Sequence, residues 1–474
     1  MHTVWAILSD WGSLDTWIVV TAMLAAMSCA VPGVYLFVRR QSMMGDALSH
    51  TALPGIAIAF LATLALRNAG WISAETYLGW RHAAVVTGAV LMGVLSAVLT
   101  ETVQRVGQVE ANAALGVVFT SLFAIGLLLV RLFADKVDLD PDCVLYGTIE
   151  TAVMDRSAWF GWPRAAVVNG LALCFNLLLV GLFFKELRLA AFDPALATSM
   201  GIPAQLVYYV LTSVTAVTLV AAFESVGSIL VIAMLVVPAA TAHLLVDRLG
   251  WLLGCALLVA ALSAVLGHVL AITLPALVLP RWGFDASITA STAGMMAVAS
   301  GLLFVVAALF GPRYGLLTQL GYRMRLALQV AAEDQLGILY RREERLGQTV
   351  HPAGLLHGGL LDRLARRWLR YRGELQLSAA GLGLTDRGRQ HAERIVRAHR
   401  LWESYMAKHL PLPGDHLHEA AERVEHYLDG ALREKLAAEL AAPEQDPHGR
   451  TIPAEHPLPG PPPAAPAPKP GSRE

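Results

Sequence analysis

The chain has 474 residues, of which 55% are hydrophobic and 15% charged, with a formal net charge of -1. Its four cysteines, Cys29, Cys143, Cys174 and Cys255, are dispersed without a CxxC pair, which argues against a disulfide framework or a thiolate zinc site. The near-zero net charge says nothing about partners, because it averages two unlike regions. Residues 1–310 hold 13 Lys/Arg and 17 Asp/Glu, whereas residues 311–474 hold 23 and 20, together with ten of the fifteen histidines. The first region has the composition of a membrane domain, and the second that of a small soluble one.

Apolar runs of spanning length lie at roughly 16–38, 47–66, 83–100, 114–133, 165–184, 206–223, 225–246, 252–279 and 287–310. The pair around Glu224, Ser225 and Gly227 reads as a turn or as a break within the membrane, so eight or nine helices are expected. The start lacks a basic n-region and its first apolar run is longer than an h-region, so no cleavable signal peptide is expected. With nine spans, seven Lys/Arg fall on each side, and the positive-inside rule does not orient the chain.

Residues 39–55, RRQSMMGDALSHTALPG, set Asp46 and His50 four apart at the start of an apolar segment. On a helix the two share one face. Ionisable groups at membrane depth are costly and generally face an interior path, and a carboxylate with an imidazole can ligate a divalent cation. Two ligands cannot hold an ion alone, so others must come from elsewhere, with Glu224 or a second subunit as sources. The acidic run at 135–142 reads either as a cation-attracting entrance or as a solvated loop. Residues 187–203 contain AFDPALATSMGIP, a short helix closed by Gly201 and Pro203, which suits a rigid connector between spans. Residues 223–243 are rich in small residues that allow close helix approach, and Pro238 frees a carbonyl there. His243, near the end of that span, is a ligand or a boundary residue. No GxxxxGK[ST] phosphate loop occurs, so the chain does not bind ATP in the usual way.

Together with FGPRYGLL at 310–317, these segments resemble the metal-type ABC transporter permeases, the family that moves Mn(II), Zn(II) or Fe(II), over about residues 1–320. The resemblance implies a metal path at Asp46 and His50 and docking of a separate ATPase subunit on the loop with Asp193, Pro194 and Gly201. It also implies an extracytoplasmic metal-binding protein and pairing with a second permease, as a homodimer or with a sister subunit.

From about residue 325 the chain turns into charged helices, and from about 453 into a Pro/Ala-rich tail with the composition of disorder. His399 and Glu403 stand i, i+4 on one helix, and His418, Glu422, Glu425 and His426 on the next. Such nitrogen-and-oxygen donor sets suit Mn(II), Fe(II) or Zn(II); the alternative is a solvated face of helical ion pairs. The stretch 383–453, with LTDRG, RAHRLWE, HEAAERVEH and DPHG, resembles the diphtheria-toxin-repressor family of metal-dependent regulators. By that resemblance His399, Glu422, Glu425 and His426 take the core ligand positions, and Asp334 matches an additional ligand. Glu422 stands where manganese-type members carry glutamate and iron-type members cysteine, which points to manganese. Gly337 stands where manganese-type members carry a second carboxylate, so an altered site is expected. Residues 341–372 are basic, with Arg363, Arg366, Arg367, Arg370 and Arg372, but LLHGG at 355–359 interrupts the place of a helix-turn-helix. DNA is therefore not expected as a partner; basic helices also bind anionic lipid.

The expected architecture is all-α: a polytopic membrane bundle over 1–320, a mainly helical cytoplasmic domain with a degenerate winged-helix-like region over 325–453, and a tail over 454–474. The expected function is that of the permease subunit of a divalent-metal importer in the inner membrane, manganese first and zinc or iron otherwise, carrying a metal-sensing domain. The rival readings are a membrane-tethered transcription regulator and an ATP-independent carrier.

Overall fold

A polypeptide in hydrocarbon must satisfy its backbone groups within itself, and long apolar runs do so as helices. The computed structural model describes residues 9–71, 73–134, 149–157, 161–278, 280, 283, 290–350, 358–378, 381–410, 421–422 and 424–455. The acidic run 135–142 and His418 lie outside them, as does the side chain of Glu224. The chain divides into two compact units, Met1–Thr318 and Gln319–Glu474.

The first unit is built from α1 (Ser13–Val38), α2 (Met43–Asn68), α3 (Ala74–Gly107), α4 (Ala111–Leu129), the short α5 (Ile149–Ala152) and α6 (Arg164–Leu182). It continues with α7 (Phe184–Phe192), α8 (Pro194–Ser199), α9 (Ala204–Val226), α10 (Ser228–Leu245), α11 (Leu249–Val278) and α12 (Thr292–Phe310). Among the described residues eight helices are long and apolar enough to cross a membrane, and α10 adds a shorter apolar stretch, Leu230–Leu245. This is a multi-pass membrane protein. The uncertain region around Glu224 resolves into two helices joined by Gly227 alone, whose φ of +80° only glycine adopts cheaply.

Small residues set the packing. A Cβ on Gly33 of α1 would lie 1.9 Å from the Leu235 carbonyl oxygen of α10, and one on Gly88 of α3 would lie 2.4 Å from the Gly55 carbonyl oxygen of α2. Backbones approach this closely only where side chains are missing. Buried amides add polar links: Asn176 of α6 donates to the Ser28 carbonyl of α1 and to Thr218 Oγ1 of α9, both at 3.0 Å. The bundle has two distinct ends. At one, His243 stacks on Tyr314 at 5.8 Å between centroids and meets Phe37 at a tilt at 5.4 Å. At the other lie the starts of α1 and α12 and the later part of α11.

The second unit comprises most of α13 (Leu316–Leu346), α14 (Leu360–Tyr371), an antiparallel hairpin of β1 (Leu375–Ser378) and β2 (Gly381–Leu384), α15 (Asp386–His409) and α16 (Gly430–Glu439). Helix α14 followed by the hairpin forms the wing-like element expected from the sequence. Leu336, Leu339, Leu369, Leu375, Leu384 and Ile395 make its core. Thr385 caps α15, accepting from the Gly388 amide at 3.1 Å and donating to the Gly373 carbonyl at 2.7 Å. Arg400, 2% exposed, ties α15 to Glu344 at 2.5 Å and to Asp446 at 3.5 Å.

Candidate metal sites

In the first unit Asp46 occupies the first turn of α2 and His50 the next. His50 Nε2 lies 3.4 Å from Asp46 Oδ1, and the side chains are 33% and 41% exposed. The imidazole packs edge-on to Phe123 of α4 at 5.0 Å and stacks on Phe119 at 6.1 Å. The pair is thus partly exposed, with the imidazole held against two rings of α4. Glu224 belongs to the last turn of α9.

The connector after α7 is rigid for local reasons. Asp193 caps α8, accepting from the Leu196 amide at 2.9 Å, and Pro194 fills the first helical position. Gly201, with φ of +82°, closes the helix, and Ala190, Ala197 and Ala204 bury its inner side. Leu196 and Met200 remain exposed. Beside it opens a concavity of about 360 Å³ whose lining includes Arg39, Glu101, Arg105, Pro194, Thr198 and Tyr208. His243 packs against Phe37 and Tyr314 and, with Asp247, lines a concavity of about 940 Å³.

One buried polar network escaped the sequence reading. His268 of α11 is 2% exposed; its Nδ1 lies 3.1 Å from Thr292 Oγ1 and its Nε2 lies 3.3 Å from Asp15 Oδ1. Glu150 of α5 accepts from the Thr292 amide at 2.8 Å, and Trp11 meets the imidazole edge-on at 5.3 Å. A histidine inside the apolar run of α11 was the available signal; its partners are too distant in sequence to be inferred.

In the second unit, Asp334 of α13 meets Glu425 and His426 on the turn Glu425–Tyr427, and one donor atom from each lies within 4.8 Å of the others. His426 Nε2 is 3.1 Å from Asp334 Oδ1 and 3.8 Å from Glu425 Oε1. Its Nδ1 is 2.8 Å from Glu333 Oε2, so this carboxylate fixes the ring as an outer partner of a ligand would. Glu425 also reaches His399, whose Nδ1 lies 2.6 Å from its Oε2, while His399 Nε2 lies 3.0 Å from Glu403 Oε1. Burial disfavours the charged form of both imidazoles, but the carboxylate bonds prevail. Those of Glu403 and Glu425 lift His399 to about 8, and those of Asp334 and Glu333 lift His426 to about 10. One imidazole nitrogen and two carboxylates at mutual ligand distance form a donor set suited to a first-row divalent cation.

The structure therefore gathers Asp334, Glu425 and His426, with His399 and Glu403 adjoining through Glu425. It does not bring Glu422 to this group. Glu422 is exposed and lines a separate concavity, while Glu425 and His426 stand on the 3₁₀ turn Glu425–Tyr427. Glu333 was missed: it adjoins Asp334 in sequence, but only the fold shows that it also faces His426.

Residues 14–311 match the profile of the ABC 3 transport family. Residues 385–454 match that of the iron dependent repressor, metal binding and dimerisation domain. The manganese transport system membrane protein MntD of Bacillus subtilis (strain 168) is 37% identical over 310 residues, 65% of this chain and 95% of that one. The zinc transport system membrane protein TroD of Treponema pallidum is 38% identical over 300 residues, 63% of this chain and 74% of its own. A probable metal transport system membrane protein of Chlamydia trachomatis is 26% identical over 451 residues, 91% of this chain and 94% of its own, so that likeness runs through both regions.

Proposed function

Because the chain belongs to the ABC 3 transport family, we propose that it is the permease of a manganese importer, with zinc or iron as the alternative cargo, and that its C-terminal domain senses the imported metal. The family match over residues 14–311 carries the transport reading. Support for manganese comes from the name of the Bacillus subtilis relative and from the oxygen-rich group at Asp334, Glu425 and His426. The name of the Treponema pallidum relative keeps zinc in play.

In this reading the ion passes Asp46 and His50, whose partly exposed side chains suit a path completed by a second permease. Two ligands bind an ion weakly enough to release it again. A separate ATPase subunit docks on the connector at Asp193, Pro194 and Gly201, where exposed Leu196 and Met200 border the polar concavity. An extracytoplasmic binding protein delivers the ion at the opposite end. The working divisions are a permease over 1–320, a sensing domain over 325–453 on the cytoplasmic side, and a tail over 454–474. Binding of the imported ion at Asp334, Glu425 and His426, with His399 and Glu403 alongside, lowers further uptake, a coupling that acts reciprocally on both sites.

The test is total cellular manganese, zinc and iron by mass spectrometry in wild type, a chain deletion and Asp46→Ala/His50→Ala, with redundant uptake systems removed. The expected result is loss of one metal in both variants while the substituted protein remains in the membrane. Unchanged metal content in the deletion would refute the importer reading. A membrane-tethered regulator is the second reading, favoured by α14 with Arg363, Arg366, Arg367 and Arg370 preceding the hairpin. Operator binding by residues 325–453, with uptake intact after deletion of the chain, would establish it instead.

A further inference from the structure

Five arginines of the second unit are held in ion pairs. Arg372, Arg389, Arg397, Arg400 and Arg433 each lie beside a carboxylate, at 2.5 to 3.1 Å. Four others gather in one place. Arg341, Arg342 and Arg345 of α13 and Arg450, after the turn at Asp446, line one concavity of about 480 Å³. Among the described residues none of these four guanidinium groups has a carboxylate partner. Three of them are half-buried rather than solvated, and Arg341 Nη1 is buried without any acceptor. Glu422 contributes the one carboxylate of the lining. Gly337 makes room, since a Cβ there would stand 3.3 Å from Arg341 Nη2.

Gathering four like charges around one carboxylate is unfavourable unless something negative joins them, and a buried guanidinium N–H without an acceptor adds its desolvation cost. Guanidinium forks match phosphate oxygens in geometry as well as charge. The volume suits a small ligand. We infer that this concavity is a binding site for a phosphate-bearing anion, held by Arg341, Arg342, Arg345 and Arg450 and opposed by Glu422. Free phosphate compounds and anionic phospholipid headgroups present the same chemistry. The site is independent of the transport reading, because it uses neither the metal-binding group nor the path.

The probe is inorganic pyrophosphate, titrated calorimetrically at low salt in chelator-treated buffer into the full-length chain in phosphatidylcholine nanodiscs. Binding is expected in the wild type and at least tenfold weaker in Arg341→Ala/Arg345→Ala. Glu422→Gln is expected to tighten it several-fold, a gain that misfolding cannot produce. Repeating the titration in discs containing phosphatidylglycerol separates the sources. Unchanged affinity assigns the site to a free phosphate compound, and competition by the lipid assigns it to a headgroup. No binding to the wild type, or equal affinity in all three chains, would overturn the inference.

Discussion

Glu333→Ala is the perturbation that most directly tests the soluble metal centre. Glu333 reaches His426 Nδ1 at 2.8 Å, leaving Nε2 directed at Asp334 and Glu425. Removing the carboxylate frees the ring to turn and lowers the basicity of its other nitrogen, without deleting a ligand. Loss of such an outer partner costs about 10–100-fold in metal affinity, or about 1.4–2.7 kcal/mol at 1.36 kcal/mol per decade. His426→Ala removes a ligand outright and should cost more. The assay is free manganese by electron paramagnetic resonance during titration of the detergent-solubilised full chain, where ions held elsewhere contribute equally to every variant. Glu333→Ala binding like wild type while His426→Ala falls would refute the orienting role. Neither variant changing would refute the site.

Proton linkage gives a second prediction. His426, raised to about 10, carries its proton at pH 7 and must lose it to bind an ion, so manganese affinity should climb about tenfold per pH unit between pH 7 and 9. In chelator-treated protein both raised imidazoles contribute stability that is whole below the ordinary value of 6.5. That contribution is lost as pH passes about 8 for His399 and about 10 for His426, so melting of the second unit should fall from pH 6.5 to pH 9. Gly388→Ala would push a Cβ to 2.0 Å from the Glu374 carbonyl oxygen, and a loss of about 1–3 kcal/mol should appear in hydrogen exchange of α15 amides. Asn176→Leu removes two buried interhelical bonds at about 0.6 kcal/mol each or somewhat more. The first unit should therefore unfold at lower denaturant in bicelles by about 1–2 kcal/mol.

The spans were legible because hydrocarbon leaves a long apolar run almost no alternative to a helix. The connector at Asp193 to Gly201 was legible for a different reason: its cap, its N-terminal proline and its left-handed glycine are local chemistry. Partnerships across the fold were not. His268 and Asp15 meet over 253 positions, and nothing local to either residue announces the other. Glu422 is a case of the other kind: the resemblance sets it with Glu425 and His426, and in the fold it lines a separate concavity. Spacing sets His418, Glu422, Glu425 and His426 on one helical face and its edge, whereas Glu425 and His426 stand on a 3₁₀ turn. Glu333 and Asp334 adjoin on one helix, and only the position of the Glu425 turn decides that both face His426.

The single-residue junction at Gly227 bears on how the chain is made. Helices α9 and α10 have no loop between them that could be translocated separately, so the two must enter the bilayer as one hairpin. The shorter α10 then shares the insertion energy of its neighbour instead of meeting the threshold by its own 18 residues. A substitution at Gly227 would therefore act during biosynthesis, as a chain left with one helix outside the membrane, before it could register as a weaker fold.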